Sequence, residues 1–414
     1  MKKRFCFRRG VSDNNTKNQK YSNNNDRTIV ESSYFHKRLI NRFLVGCILV
    51  STGILLAESG GSWDITNHLL NKPETFFSPP HAILYSGIAL ALAGATIMFL
   101  HWRSYSIYIS TIKGEKNLEL DLSIKLVISG ISMLILAGPL DFSWHSAFGL
   151  DGLLSPPHLT LTIGMLAGSI GSLIGITSYI VINNSISQEK RQNNNIDTFK
   201  KNEKIPIPIY TTLTIIGILP IWMSSSGLIY MFSLPFSDTE YYNFNLEPTT
   251  ATTIATVSFP FLISFILVSL FKLEELGNKK RKFGAISVTG SIFIIITIVT
   301  MMIPNKSLIS TIPFYVLNII PIIIADIFLS KLPLKSVFVY TSGGILGSSF
   351  FMLYYPMITH IYNEVFSNQP VWPSLTAPIY FGMIIQIYPL LAVPAIGVGI
   401  LGTIFSSRLI NRKN

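Results

Sequence analysis

The 414-residue chain reads as an all-α, polytopic membrane helical bundle of about ten transmembrane helices, with both termini cytoplasmic. Three observations predict this class. Hydrophobic residues make up 49% of the chain against 13% charged, and mean hydropathy is +0.46, a balance outside the soluble classes. Apolar runs of membrane-spanning length recur along most of the chain. All of the 32 Lys and Arg except Lys72 and Lys306 fall on the inner side, in the two tails, in alternate loops or at the span ends that adjoin them, as the positive-inside rule requires of an even number of spans.

The elements follow in order. Residues 1–38 are basic and Asn-rich and predict a disordered tail. Residues 39–182 form a four-helix half, with spans at 39–58, 82–101, 123–142 and 158–182. Gly60-Gly61 is expected to break the first of these, which has no A-x-A cleavage site and reads as a retained anchor. Residues 183–206 are a polar Asn/Lys-rich linker. Residues 207–407 hold six spans of unassigned role, at 207–232, 250–271, 284–303, 309–330, 336–358 and 376–405. Only Leu332-Pro333-Leu334-Lys335 separates the eighth from the ninth. Pro389 and Pro394, with the glycines that follow, predict a kinked and closely packed last helix. Residues 408–414 are a short tail.

The net charge of +11 is accounted for by loops that face anionic lipid, so it marks no nucleic-acid partner. Cys6 and Cys47 form no CxxC and lie too far apart to pair, which disfavours a thiolate metal site. Gly-rich phosphate loops, GxSxG and HExxH are absent from the sequence, which disfavours nucleotide chemistry and classical zinc proteolysis.

One pattern occurs twice. Residues 64–81 read DITNHLLNKPETFFSPPH and residues 141–158 read DFSWHSAFGLDGLLSPPH. Asp64, His68 and His81 recur 77 residues later as Asp141, His145 and His158. An acid follows the first His by six residues in both copies, as Glu74 and Asp151. Asp and His four apart share a helix face. The Pro or Gly residues after them favour a turn, and Ser-Pro-Pro reads as a helix start that brings the second His back. Each copy is thus a helical hairpin offering one carboxylate and two imidazoles. A lone interfacial His is ordinarily no more than hydrogen-bonded. Three ionisable groups recurring together at the membrane boundary point to a metal instead. Two His and one carboxylate can hold copper, non-haem iron or zinc, in two separate sites or in one shared site. Glu74 and Asp151 suit the role of orienting an imidazole. Both copies are expected on the extracytoplasmic side of the plasma membrane.

Asp-x3-His-x12-His, with the acid and a Phe-Ser/Thr-Pro-x-His close, resembles the copper-site signature of the C subunit of copper membrane monooxygenases. That family includes particulate methane and ammonia monooxygenases. Asp64, His68, His81, Glu74, Phe77, Ser78 and Pro79 match it position by position, and the resemblance covers about residues 40–182. It implies that Asp64, His68 and His81 bind copper, with Asp141, His145 and His158 where a second site would fall. It also implies oxygen-dependent hydroxylation of a small substrate, an external electron donor and partner subunits of the same enzyme class. The second copy here carries Asp where that family usually has Asn, and six further spans exceed what the family's subunit needs. Two other functions fit the same residues: non-enzymatic copper acquisition or transport, and an accessory structural subunit.

Two further features stand outside the motif. His360 and Glu364, four apart, could add ligands. Asp326, within the eighth span, hints at proton or ion handling.

Overall fold

The structure is a computed structural model that describes residues 19–69, 75, 77–113, 120–149, 154–193, 207–233, 246, 248–277, 283–304, 309, 312–332, 336–349 and 377–411. Every regular element among them is helical. In order they are α1 (Gln19–Leu69), α2 (Pro79–Lys113), α3 (Leu122–Phe148), α4 (Pro156–Asn193), α5 (Ile207–Ser233), α6 (Pro248–Gly277), α7 (Ala285–Thr297), α8 (Ile312–Val316), α9 (Ile319–Ser330), α10 (Ser336–Ser349) and α11 (Ala377–Asn411). A π-helical turn, Ile298–Met302, continues α7.

Eight of these helices are long and apolar enough to cross a membrane: Asn41–Asn67, Pro79–Ser104, Leu122–Phe148, Pro156–Asn183, Ile209–Ser233, Thr253–Glu275, Ala285–Met302 and Ala392–Ile410. Exposed apolar side chains such as Leu100, Leu136 and Val393 give them an outer surface suited to lipid. Of the other two expected spans, α9 has 12 residues, too few to cross alone, and α10 is described only to Ser349. Helix α1 begins within the expected disordered tail, and α4 continues into the expected linker.

Gly60-Gly61 does not break the first span. Helix α1 runs through it to Leu69, because Gly60 serves packing against α2 rather than a turn. A Cβ on Gly46, Gly53 or Gly60 would come within 2.5–2.7 Å of α2 at Met98, Ala91 or Leu84. On the facing helix, Gly87 meets Ala57 and Gly94 meets Val50. Positions 46, 50, 53, 57 and 60 therefore form one seam of α1, spaced as helix periodicity demands. Helix α3 repeats this geometry against α4. A Cβ on Gly130 would sit 2.5 Å from Gly164 O, and one on Gly171 would sit 2.7 Å from Ser123 O. Gly46, Gly53 and Gly60 correspond to Ser123, Gly130 and Ala137 at the motif's own offset, and Gly87, Ala91 and Gly94 to Gly164, Gly168 and Gly171.

The two hairpins join through α1 and α4. Ser51 donates to Ser172 (2.7 Å), which donates to Cys47 O (2.7 Å). One core cluster fills this four-helix unit and takes in Tyr210 and Leu213 of α5. A second fills the remaining helices and takes in Ile215, Ile218, Leu219 and Trp222 of the same α5. In that second unit α11 lies against α10, where Gly343 and Gly347 approach Gly399 and Ala395. Asp326 has a structural position. Its Oδ2 accepts from Gly284 N (3.0 Å), Ser287 N (2.9 Å) and Ser287 Oγ (2.7 Å), capping α7 across the fold.

Candidate metal centre

The seams deliver the acids. One turn beyond Gly60 on the α2-facing stripe is Asp64, and one turn beyond Ala137 on the α4-facing stripe is Asp141. Both carboxylates therefore point at the start of the partner helix. Those partner helices begin with Pro-Pro-His in each case, at Pro79 and Pro156. Ser78 O and Ser155 O accept the first helical bonds, from Ala82 N (3.0 Å) and Leu159 N (2.9 Å). The serine hydroxyls do not cap: Ser78 Oγ and Ser155 Oγ are buried without a hydrogen-bond partner. The two prolines explain this, since they remove two of the four first-turn N–H groups that a cap would satisfy.

In the second copy the three expected ligands converge. Asp141 Oδ1 is 3.4 Å from His145 Nε2 and 3.4 Å from His158 Nε2. One ligand atom from each residue lies within 4.8 Å of the others. His145 Nδ1 donates to Gly149 O (3.0 Å), while Gly149 N donates to His145 O (3.0 Å). Gly149 holds φ at 75°, a conformation that suits glycine, so the loop carbonyl can turn back onto the ring. With Nδ1 held by the loop carbonyl, the ring presents Nε2 to the carboxylate.

In the first copy His81 Nε2 is 2.8 Å from Asp64 Oδ1, and His81 Nδ1 donates to Thr75 O (2.9 Å). Here too a loop carbonyl fixes the ring and turns its Nε2 to the carboxylate. His68 lies on α1 one turn past Asp64, but its side chain is outside the described residues. Glu74, Asp151, His360 and Glu364 also lie outside them.

An imidazole nitrogen and a carboxylate oxygen this close are bridged by a proton on the ring or by a cation. An imidazolium proton serves one such contact, and the 2.8 Å pair fits that. Asp141 Oδ1 faces two imidazoles at 3.4 Å, beyond the usual N–H···O length of about 2.7–3.2 Å. Ligands bonded at about 2.0–2.2 Å to one ion stand about 2.8–3.5 Å apart at square or tetrahedral angles. The 2.8 Å and 3.4 Å separations both fall in that range. The donor set, two imidazoles and one carboxylate, is one that can hold a divalent transition metal with positions left open. The centre reaches the surface in part, with Asp141 33% and His145 21% exposed, so those positions can meet solvent or a small molecule.

The two copies share one end of the bundle. Asp64 and Asp141 interact electrostatically, and Tyr85 of α2, its ring stacked 6.0 Å from His81, feels both carboxylates. Sequence reasoning passed over Tyr85, whose position in the second copy holds Thr162. It also passed over Glu58, buried in α1 at the boundary of an apolar run, where the lone acid was itself a signal. The loop carbonyls of Thr75 and Gly149 could not be singled out, because every residue has one.

No protein-family model, curated protein or solved structure matches this chain.

Proposed function

We propose that this chain is an integral membrane copper protein related in function to the C subunit of copper membrane monooxygenases. Asp141, His145 and His158 hold one copper; Asp64 and His81, with His68, hold another. The observation that carries the reading is the convergence of two imidazole Nε2 atoms on Asp141 Oδ1, each 3.4 Å away, with His145 Nδ1 held by Gly149 O. Copper, rather than iron or zinc, follows from the motif's resemblance to that family. Bound copper supplies one-electron redox chemistry toward oxygen. The chain's own residues orient the imidazoles through loop carbonyls, keep the ligand set at one end of the bundle, and leave the site open on one side. A small, membrane-soluble substrate and an external electron donor complete the activity, with further subunits as partners. The motif end faces the extracytoplasmic side of the plasma membrane in this reading, in accord with the distribution of Lys and Arg.

The test uses the full chain purified in lipid. Metal content and the electron paramagnetic resonance of the oxidised protein are measured for the wild type, His81→Ala and His145→Ala. Copper in the wild type, with a separate part lost in each variant, is the expected result. Zinc alone, or copper unchanged by both substitutions, overturns the proposal. Copper that binds reversibly as Cu(I) and never reacts with oxygen selects the non-enzymatic role.

A further inference from the structure

The helix face of α1 that turns away from α2 carries a second ionisable site. Along that face Ser51 meets α4, Ile54 meets Gly168 of α4, and Glu58 meets Ser224 of α5. Glu58 is 6% exposed and Ser224 2% exposed. Glu58 lies six residues from Asp64, about 9 Å along the helix axis toward the membrane interior. Its counterpart in the second hairpin, Ile135, is 48% exposed and apolar. The acid is therefore no part of the duplicated metal motif.

One hydroxyl proton serves two acceptors at Glu58, and the burial of Glu58 Oε2 decides between the two arrangements. Glu58 Oε1 is hydrogen-bonded to Ser224 Oγ, and Ser224 Oγ also lies 2.7 Å from Pro220 O. A serine hydroxyl has one proton. If that proton goes to Pro220 O, as in the ordinary back-bond of a helical serine, the Glu58 contact has none unless the carboxyl supplies it. Glu58 Oε2 is buried without a hydrogen-bond partner, a severe cost for a charged carboxylate and a smaller one for a neutral acid. Among the described residues no charged or titratable group on α2, α4, α5, α7 or its π turn acts on Glu58, and Ser224 is its one polar contact. The protein oxygens at this point, Ser224 Oγ and Pro220 O, fall short of the six or more that hard cations take, so a proton is the simpler occupant.

We propose that Glu58 is an intramembrane proton-binding site, with Ser224 as its relay to the backbone of α5. In the protonated state Glu58 donates to Ser224 Oγ, which donates to Pro220 O. When the proton leaves to water, the Ser224 hydroxyl turns to the carboxylate and releases Pro220 O. Pro220 lies inside α5, where the ring already removes one helical hydrogen bond. Protonation of Glu58 is thereby linked to the local geometry of α5 beside the turn that Pro220 already interrupts. The site does not depend on the metal reading, and its test needs no metal.

The full chain in lipid is treated at neutral pH with dicyclohexylcarbodiimide, which adds protonated carboxyls across its C=N bond in apolar surroundings. The adduct is mapped by peptide mass spectrometry, so the wild type alone locates the site. Infrared spectra of the wild type, Glu58→Gln and Ser224→Ala follow the protonated-carboxyl C=O band. Expected are an adduct on Glu58, loss of adduct and of a C=O band in Glu58→Gln, and a shift of that band to higher frequency in Ser224→Ala. An unmodified Glu58, a band that survives Glu58→Gln, or a band that does not move in Ser224→Ala overturns the proposal.

Discussion

Gly60 and Gly61 are neighbours in sequence and opposites in packing, which makes them a sharp test of how the first ligand pair is held. A Cβ on Gly60 would lie 2.5 Å from Leu84 N, 2.7 Å from Pro80 O and 2.9 Å from Leu84 Cα, all backbone of the first turns of α2. Ordinary contact begins at 3.4 Å, so Gly60→Ala must push that segment back by about 0.9 Å. Pro80 precedes His81, and the displacement would lengthen the Asp64–His81 contact from 2.8 Å to about 3.7 Å. Overpacking of this kind costs about 1–3 kcal/mol. A Cβ on Gly61 meets only Leu84 Cδ1, at 3.7 Å, so Gly61→Ala should be neutral, or stabilising by up to about 1 kcal/mol from helix propensity. Thermal unfolding in lipid and metal content are measured on both variants. Gly60→Ala should melt lower and lose metal from the first site alone, and Gly61→Ala should do neither. Equal behaviour of the two variants would refute the seam as the device that positions Asp64.

Other outcomes follow from the same structure. Gly149→Ala places a Cβ on a residue at φ 75° and should cost about 1–2 kcal/mol, while weakening metal binding at the second site, as metal titration will read. Asp326→Ala removes the tertiary cap of α7 and should destabilise by about 2 kcal/mol in thermal unfolding without changing metal content. Chelation of the wild type should lower its melting temperature, since metal held at a hundred times its dissociation constant contributes about 2.7 kcal/mol. The same chelation should leave the His81→Ala, His145→Ala double variant unmoved, as calorimetry in lipid would report.

The all-helical class and eight of the spans were legible because lipid enforces a simple rule, an apolar length for each crossing. The convergence of Asp141, His145 and His158 was legible from four-residue spacing and a Ser-Pro-Pro-His restart. Gly60-Gly61 misled because glycine means a turn in one context and a close helix contact in another, and only the partner helix decides. Asp326 misled for a related reason. An acid in an apolar run signals function or a cap, and Gly284 and Ser287 lie 42 and 39 residues from it in sequence. The roles of Thr75 and Gly149 belong to backbone atoms, which carry no residue-type signal.

Helix α5 belongs to both core clusters, one stretch of it completing the hairpin pair and the next founding the other unit. A chain severed between residues 194 and 206 would consequently yield two unequal pieces. The leading fragment would bare Leu173 and Ile176, which Gly217 now covers, and would depend on its missing companion to be whole. Such fragments made together should find each other in the bilayer, and the recovered assembly would be dictated by that single shared rod.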